Sequence, residues 1–267
     1  KRQFFMRLRV VVIDELHVLR GVFGSHVAHI LRRLRRICRH YGSDPVFVFT
    51  SATIGQPERL ASALCAAPVT AITDDGSPTG PRRFALLDPP VIDEETGVRA
   101  SANSEVAAVS AALVESGHRT ITFCQSRKGT ELIAADISRR VSPHLKRAVM
   151  SYRAGYLAEE RRAIEEQMSD GTLRGIVATS ALELGVDIGD LDACVINGFP
   201  GTIASMWQQA GRAGRRNAPS VSVLVAGDDQ LDRYLMRHPH EVFERQPEPS
   251  VINTANPHIL GPHLACA

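Results

Sequence analysis

No two cysteines in this 267-residue chain stand at Cys-x-x-Cys spacing: Cys38, Cys65, Cys124, Cys194 and Cys266 are scattered singly. That scatter argues against both a zinc cluster and a secreted disulfide framework, and buried reduced thiols are expected instead. No apolar run approaches the roughly 20 residues that a bilayer-spanning helix needs. The basic start Lys1-Arg2 leads into no signal-type apolar core. A cytosolic chain without a membrane partner is the expectation. Net charge is small as well: 31 Lys and Arg against 29 Asp and Glu leave +2, so any basic binding surface must be local. No internal repeat is visible.

What is present is an ordinary globular balance, with 44% hydrophobic and 22% charged residues. The length suits two α/β domains. Short β-branched runs alternate with helical patterns. Residues 9–13 read as a strand, Ser25 to Tyr41 as an amphipathic helix, Val46 to Phe49 as a strand, and Pro57 as a helix start. Val69 to Ile72 and Phe84 to Leu87 read as extended runs. Buried strands between helices imply mostly parallel sheets covered on both faces.

Composition shifts to Gly, Pro and acidic residues between Asp74 and Asn103, which places a boundary near residue 95. The expected division is 1–95, 96–240 and 241–267. Helices are expected at 104–116, 127–141, 158–169, 202–213 and 229–237, with strands at 119–124, 147–151, 174–178, 193–197 and 220–225. This alternation reads as a doubly wound domain. Beyond Pro239, prolines at 247, 249, 257 and 262 interrupt periodicity, and the tail reads as the start of a downstream accessory region.

Four segments carry chemistry. Asp14-Glu15-Leu16-His17 follows a strand, so two carboxylates reach a carboxyl end where open α/β sheets bind ligands. In nucleotide hydrolysis one such carboxylate can hold Mg2+ through water and the next can orient and deprotonate the attacking water. A solvated acid pair would look the same. Ser51-Ala52-Thr53 brings two hydroxyls to the next strand end, or caps the helix near Pro57. Gln208 to Arg216 places Arg212 and Arg215 three apart, on one helix face, with Gly211 and Gly214 allowing close backbone approach. Guanidinium forks there suit a phosphate whose charge grows in the transition state. After the strand ending near Ala178, Thr179 and Ser180 could contact a nucleic-acid phosphate, and Asp187 a ribose.

In this order the segments resemble the motifs of superfamily 2 DExH-box helicases. Asp14 to His17 looks like motif II, Ser51 to Thr53 like motif III, and Ile121 to Arg127 like motif IV. Thr179 to Ile188 looks like motif V, and Gln208 to Arg215 fits the Q-x-x-G-R-x-G-R of motif VI at every defined position. Gly21 to Val27 with Arg32 to Arg36, and Asn256 to Leu264, resemble bacterial helicases of the mitomycin repair factor A type, related to the RecQ-four-like eukaryotic group with its downstream four-cysteine zinc domain.

The resemblance implies two RecA-like domains, the first truncated on its N-terminal side, with ATP in the cleft between them and single-stranded or partly duplex DNA across their tops. It implies 3′ to 5′ translocation in DNA repair, in a bacterial cytoplasm at the nucleoid. By position, Asp14, Glu15, His17, Gln208, Arg212 and Arg215 become catalytic. Gly185, Asp187, Arg212 and Arg215 contact ATP, with Mg2+ on Asp14 through water. Ser51 and Thr53 couple the sites, and Ser126, Arg127, Thr179 and Ser180 touch nucleic acid. No zinc site is expected in this chain.

The chain departs from the family in holding no Gly-Lys-Thr or Gly-Lys-Ser loop, whose amides and Lys cradle phosphates. The segment by itself is therefore expected to lack appreciable ATP hydrolysis. RNA rather than DNA as the track, or a non-catalytic scaffold, are the competing expectations. The arginines at 32, 33, 35, 36 and 39 offer phosphate contact or a merely solvated face. Trp207 offers base stacking or packing against its own helix's neighbours.

Overall fold

A computed structural model describes residues 2–74, 76, 80–152, 155–182, 191–214 and 218–266. The chain divides into two compact units, Lys1–Asp75 with Gln246–Ala267, and Gly76–Arg245.

The first unit opens with α1 (Arg2–Arg7), then β1 (Val10–Ile13), α2 (Gly21–His40), β2 (Val46–Phe49) and α3 (Pro57–Cys65). The two strands pair in parallel, with Val10 opposite Val46 and Ile13 opposite Phe49. Side chains alternate across a strand. Ile13, Phe47 and Phe49 turn toward a core of Leu16, Leu31, Leu60 and Leu64. Val10, Val12, Val46 and Val48 turn the other way and are 51%, 62%, 63% and 42% exposed. Helix α2 starts four residues before the expected Ser25, and Gly24 lets its first turn approach Leu19: a Cβ there would overlap the Leu19 carbonyl. Val69 to Ile72 forms no strand; the Val69 N–H bonds the Ser62 hydroxyl at 3.0 Å instead.

The second unit comprises β3 (Arg82–Leu87), the hairpin β4 (Val91–Asp93) and β5 (Val98–Arg99), α4 (Ala102–Glu115), β6 (Thr120–Phe123), α5 (Arg127–Arg140), β7 (Val149–Tyr152), α6 (Ala158–Asp170), β8 (Gly175–Ala178), β9 (Ala193–Asn197), α7 (Ile203–Ala210), β10 (Ser220–Val225), α8 (Gln230–Arg237) and α9 (Pro239–Glu244). Six parallel strands stand in the order β3-β10-β9-β6-β8-β7. Successive residues of one strand enter opposite cores. Ile176, Cys194, Ile196 and Leu224 join Ile164, Met168 and Met206 on one face. Val177, Val195 and Val223 join Val106, Val114, Ile133 and Ile137 on the other. Helices thus cover both faces, the doubly wound arrangement the alternation predicts.

The unit boundary falls at 75/76, not near 95, because β3 pairs with β10 along its whole length and belongs to the second sheet. Residues 246–267 belong to the compact unit of residues 1–75. They return to the first unit, where α10 (Pro257–Ala265) packs on α2. Pro257 begins that helix, where the missing N–H costs nothing, and the Asn256 side chain caps it through His258 N at 3.0 Å. Four cysteines are buried, but Cys266 is exposed, because it lies at the solvent end of α10. Among the described residues no helix is long and apolar enough to cross a membrane.

Candidate functional site

Strand β1 ends at Ile13 and hands Asp14 and Glu15 to its carboxyl end. Because Ile13 stands opposite Phe49, the next residues along are Asp14 and Thr50, so the parallel register brings a hydroxyl to a carboxylate. Asp14 Oδ1 accepts the Thr50 hydroxyl and, at 2.9 Å, the Glu15 backbone N–H. These two donors, the hydroxyl first, hold Asp14 below the usual aspartate range. An exposed, ionised carboxylate is a hard oxygen donor of the kind Mg2+ takes through water. Among the described residues no group of three or more His, Cys, Asp or Glu side chains could hold a metal. Asp14, a single exposed carboxylate, could hold a cation through water.

Glu15 has φ of 55°, a left-handed conformation that is strained for a residue with a side chain. That turn starts a short 3-10 segment, Leu16–Val18, whose entry is fixed by Leu16 N donating to Thr50 O at 2.9 Å. The buried His17 ring faces back: its Nδ1 lies 3.4 Å from Glu15 Oε2 and 3.5 Å from Ser51 Oγ. The imidazole thus stands between the carboxylate of one motif and the hydroxyl of the other. Both separations are long for hydrogen bonds. Thr53 is exposed two residues further on. Neither hydroxyl caps α3; its N-cap is Gln56, at φ 51°.

In the second unit, Ser126 caps α5, its Oγ accepting Gly129 N at 3.0 Å, and Arg127 begins that helix, exposed. Thr179 and Ser180 follow β8. Since β6 and β8 pair with Phe123 opposite Ala178, the two segments emerge side by side at one carboxyl edge. A cavity of about 450 Å³ opens on the same edge, lined in part by Ser126, Gly129, Asn103, Asn197 and Asp229. Cys124 also lines it, and burial pushes its thiol up to about 12.

The motif VI segment differs from its expected geometry. Helix α7 ends at Ala210 with Gly211 as its C-cap, so Arg212 lies past the helix in a turn. Gly214, at φ 87°, then continues the turn, where a Cβ would overlap the Ser220 hydroxyl; the glycines terminate the helix and sit outside its interior. Gln208 is half-buried on α7 and Gln209 is buried. Trp207 packs, its ring 5.3 Å from Phe84 and 6.3 Å from Phe243. Arg215, Gly185 and Asp187 lie outside the described residues.

Two residues escaped the sequence reading. Thr50 was detectable, because a hydroxyl at a strand end is placed by the register against Asp14. Asp232 was not. It is buried, accepts Phe199 N at 3.0 Å and Gly227 N, and so ties the loop entering α7 to the loop entering α8. Burial pushes its carboxyl up. Arg32, Arg35 and Arg39 of the run on α2 make contacts within the first unit. Arg32 donates to Ala63 O at 2.6 Å and Arg35 to Ala66 O at 2.7 Å, closing the last carbonyls of α3, while Arg35 and Arg39 also meet Asp44.

Comparison with known proteins adds family-level findings. A DEAD/DEAH box helicase model matches residues 1–60, and a helicase conserved C-terminal domain model matches 104–217. The chain is 47% identical, over 98% of its length, to the uncharacterized ATP-dependent helicase YprA of Bacillus subtilis, and 38% identical over its full length to the ATP-dependent helicase HRQ1 of Saccharomyces cerevisiae. It spans 35% and 26% of those relatives. The solved DUF1998 helicase MrfA bound to DNA and AMPPNP superposes with a TM-score of 0.93 at 46% identity, over 99% of this chain and 37% of that one.

Proposed function

The chain belongs to the superfamily 2 DExH-box helicases of the YprA, MrfA and Hrq1 type, and from that premise we propose that it forms part of an ATP-driven DNA motor, a 3′ to 5′ helicase or translocase of DNA repair. The observation that carries this reading is the His17 imidazole set between Glu15 and Ser51. A hydrolytic carboxylate linked by one side chain to a second motif is what a machine needs if track binding is to govern hydrolysis.

In this reading Asp14 holds Mg2+ through water, and Glu15 orients the attacking water and takes its proton. Bound Mg-ATP supplies the phosphoryl group and its charge neutralisation. His17 passes the state of Ser51 and Thr53 to Glu15. Gln208, Arg212 and Arg215 complement the growing phosphate charge, and Gly185 and Asp187 receive the nucleotide. Ser126, Arg127, Thr179 and Ser180 take the backbone of single-stranded or partly duplex DNA, aided by the α5 N-terminus. Domain identities follow: a first RecA-like domain carrying motifs II and III, and a second carrying IV to VI. A cytoplasmic, nucleoid-associated protein is the matching location. The solved complexes of the similar helicase MrfA with DNA support DNA over RNA as the track.

The test is steady-state ATP turnover of the complete protein with single-stranded DNA or RNA of equal length. DNA should stimulate turnover and RNA should not; stimulation by RNA alone would overturn the assignment, and no turnover with either would favour a scaffold. The 267-residue chain by itself, holding no Gly-Lys-Thr loop, should show no DNA-stimulated turnover.

A further inference from the structure

The segment that follows α9 runs across the first unit at the places where motifs II and III end. Its prolines at 247 and 249 fix extended backbone and remove two N–H donors, so it pairs through a few bonds and not through a regular ladder. Gly55 N donates to Glu248 O at 3.4 Å, and Gly55 bridges Pro249 in parallel. The Ser250 hydroxyl donates to the backbone carbonyl of His17 at 3.4 Å. Gly21 N donates to Val251 O at 2.8 Å, and Asn253 N to the buried Ser25 hydroxyl at 2.9 Å.

Two glycines make room for this segment. A Cβ on Gly55 would overlap Pro247 O and come within 3.1 Å of Pro249 N. One on Gly24 would lie 2.7 Å from Ile252 Cγ2. Gly55 has no positive φ, so its conformation does not demand glycine; the close approach of another backbone does. Beyond Asn253 the segment is anchored by α10, through Ile259 in the core, His263 Nε2 at 2.9 Å from His26 Nδ1, and Arg33 reaching Cys266 O at 3.4 Å.

We propose that residues 247–253 are a positioning strap: by bonding the backbone at His17 and at Gly55 together, the strap fixes the separation of the His17 ring from Ser51 and so sets how strongly track binding is coupled to ATP hydrolysis. The proposal rests on the motor reading above. Neither Gly55 nor Ser250 touches the candidate carboxylates, so both are positioning residues. Only Arg245 and Gln246 separate α9 from the strap.

The experiment measures ATP turnover of the complete protein against single-stranded DNA concentration, for wild type, Gly55→Ala and Ser250→Ala, together with DNA affinity. Gly55→Ala should lower DNA-stimulated turnover about tenfold, within the usual span of coupling between sites, while basal turnover and DNA affinity stay within about twofold. Ser250→Ala, which deletes one hydroxyl and leaves the backbone path intact, should lower it about two- to threefold. Should Gly55→Ala fail to fold, Ser250→Ala decides. Wild-type stimulation with unchanged variants overturns the strap alone, and an equal loss of basal and stimulated turnover overturns it by revealing general damage. Absence of DNA stimulation in wild type overturns the motor reading, and the strap's role with it.

Discussion

In the second unit the strands that carry the candidate nucleic-acid residues are sealed on both faces: all four residues of β6 and all four of β8 are buried. In the first unit β1 and β2 alternate, one face on the core and the other open through Val10, Val12, Val46 and Val48. Both scaffolds bring polar residues to a carboxyl edge, but by different means. The second uses helix caps built on a deep sheet. The first uses bonds between its own motifs, Thr50 to Asp14 and His17 to Glu15 and Ser51. The candidate site of the first unit thus rests on polar contacts between two motifs, and that of the second on a cap at the edge of a buried sheet.

Core truncation should expose the contrast most strongly. In the 267-residue chain, Ile121→Ala, at a fully buried position of β6, should cost about 2–5 kcal/mol, whereas Val12→Ala on the open face should change stability by about 0.5 kcal/mol or less. Urea unfolding with one probe in each unit measures both, and equal losses would erase the distinction. Arg35→Ala should destabilise the first unit by about 1–2 kcal/mol through the lost closure of α3. Ser126→Ala should cost about 1 kcal/mol through its lost cap, with weaker DNA binding.

The smallest effect is on titration. Asp14, held low by the Thr50 hydroxyl, contributes stability that is complete above the ordinary 3.8 and is lost as pH falls through its lower folded-state value. Asp232, pushed up by burial, contributes stability complete below 3.8 and lost as pH rises through its higher value. Carboxyl-carbon NMR should find their midpoints on opposite sides of 3.8; the reverse order would mean that the register-set Thr50 bond does not form in solution.

Local patterns were legible and distant returns were not. Val46 to Phe49 and Ala193 to Asn197 are strands where alternation and β-branching place them, and Pro57 starts its helix. Of the candidate site, the strand-end placement of Asp14, Glu15, Ser126 and Thr179 was readable, because each follows an apolar strand. The partner of β3 was not readable: Phe84 to Leu87 pairs with a strand near the end of the second unit, which no local pattern encodes. The prolines that break periodicity after Pro239 also hide the strap, since its bonds go to residues more than 190 positions earlier. Gly211 was misread as helix interior because an R-x-x-R spacing suggests one face, while the chain instead turns at that glycine.

We propose that Glu15 performs the hydrolytic step in a motor whose track binding is a separate property of the second unit. Glu15→Gln in the complete protein tests it most directly, because the amide keeps shape and loses the base. DNA-stimulated ATP turnover should fall by about 10²- to 10⁴-fold while DNA affinity in the presence of a non-hydrolysable ATP analogue stays within about twofold. Turnover that survives the substitution would contradict the account.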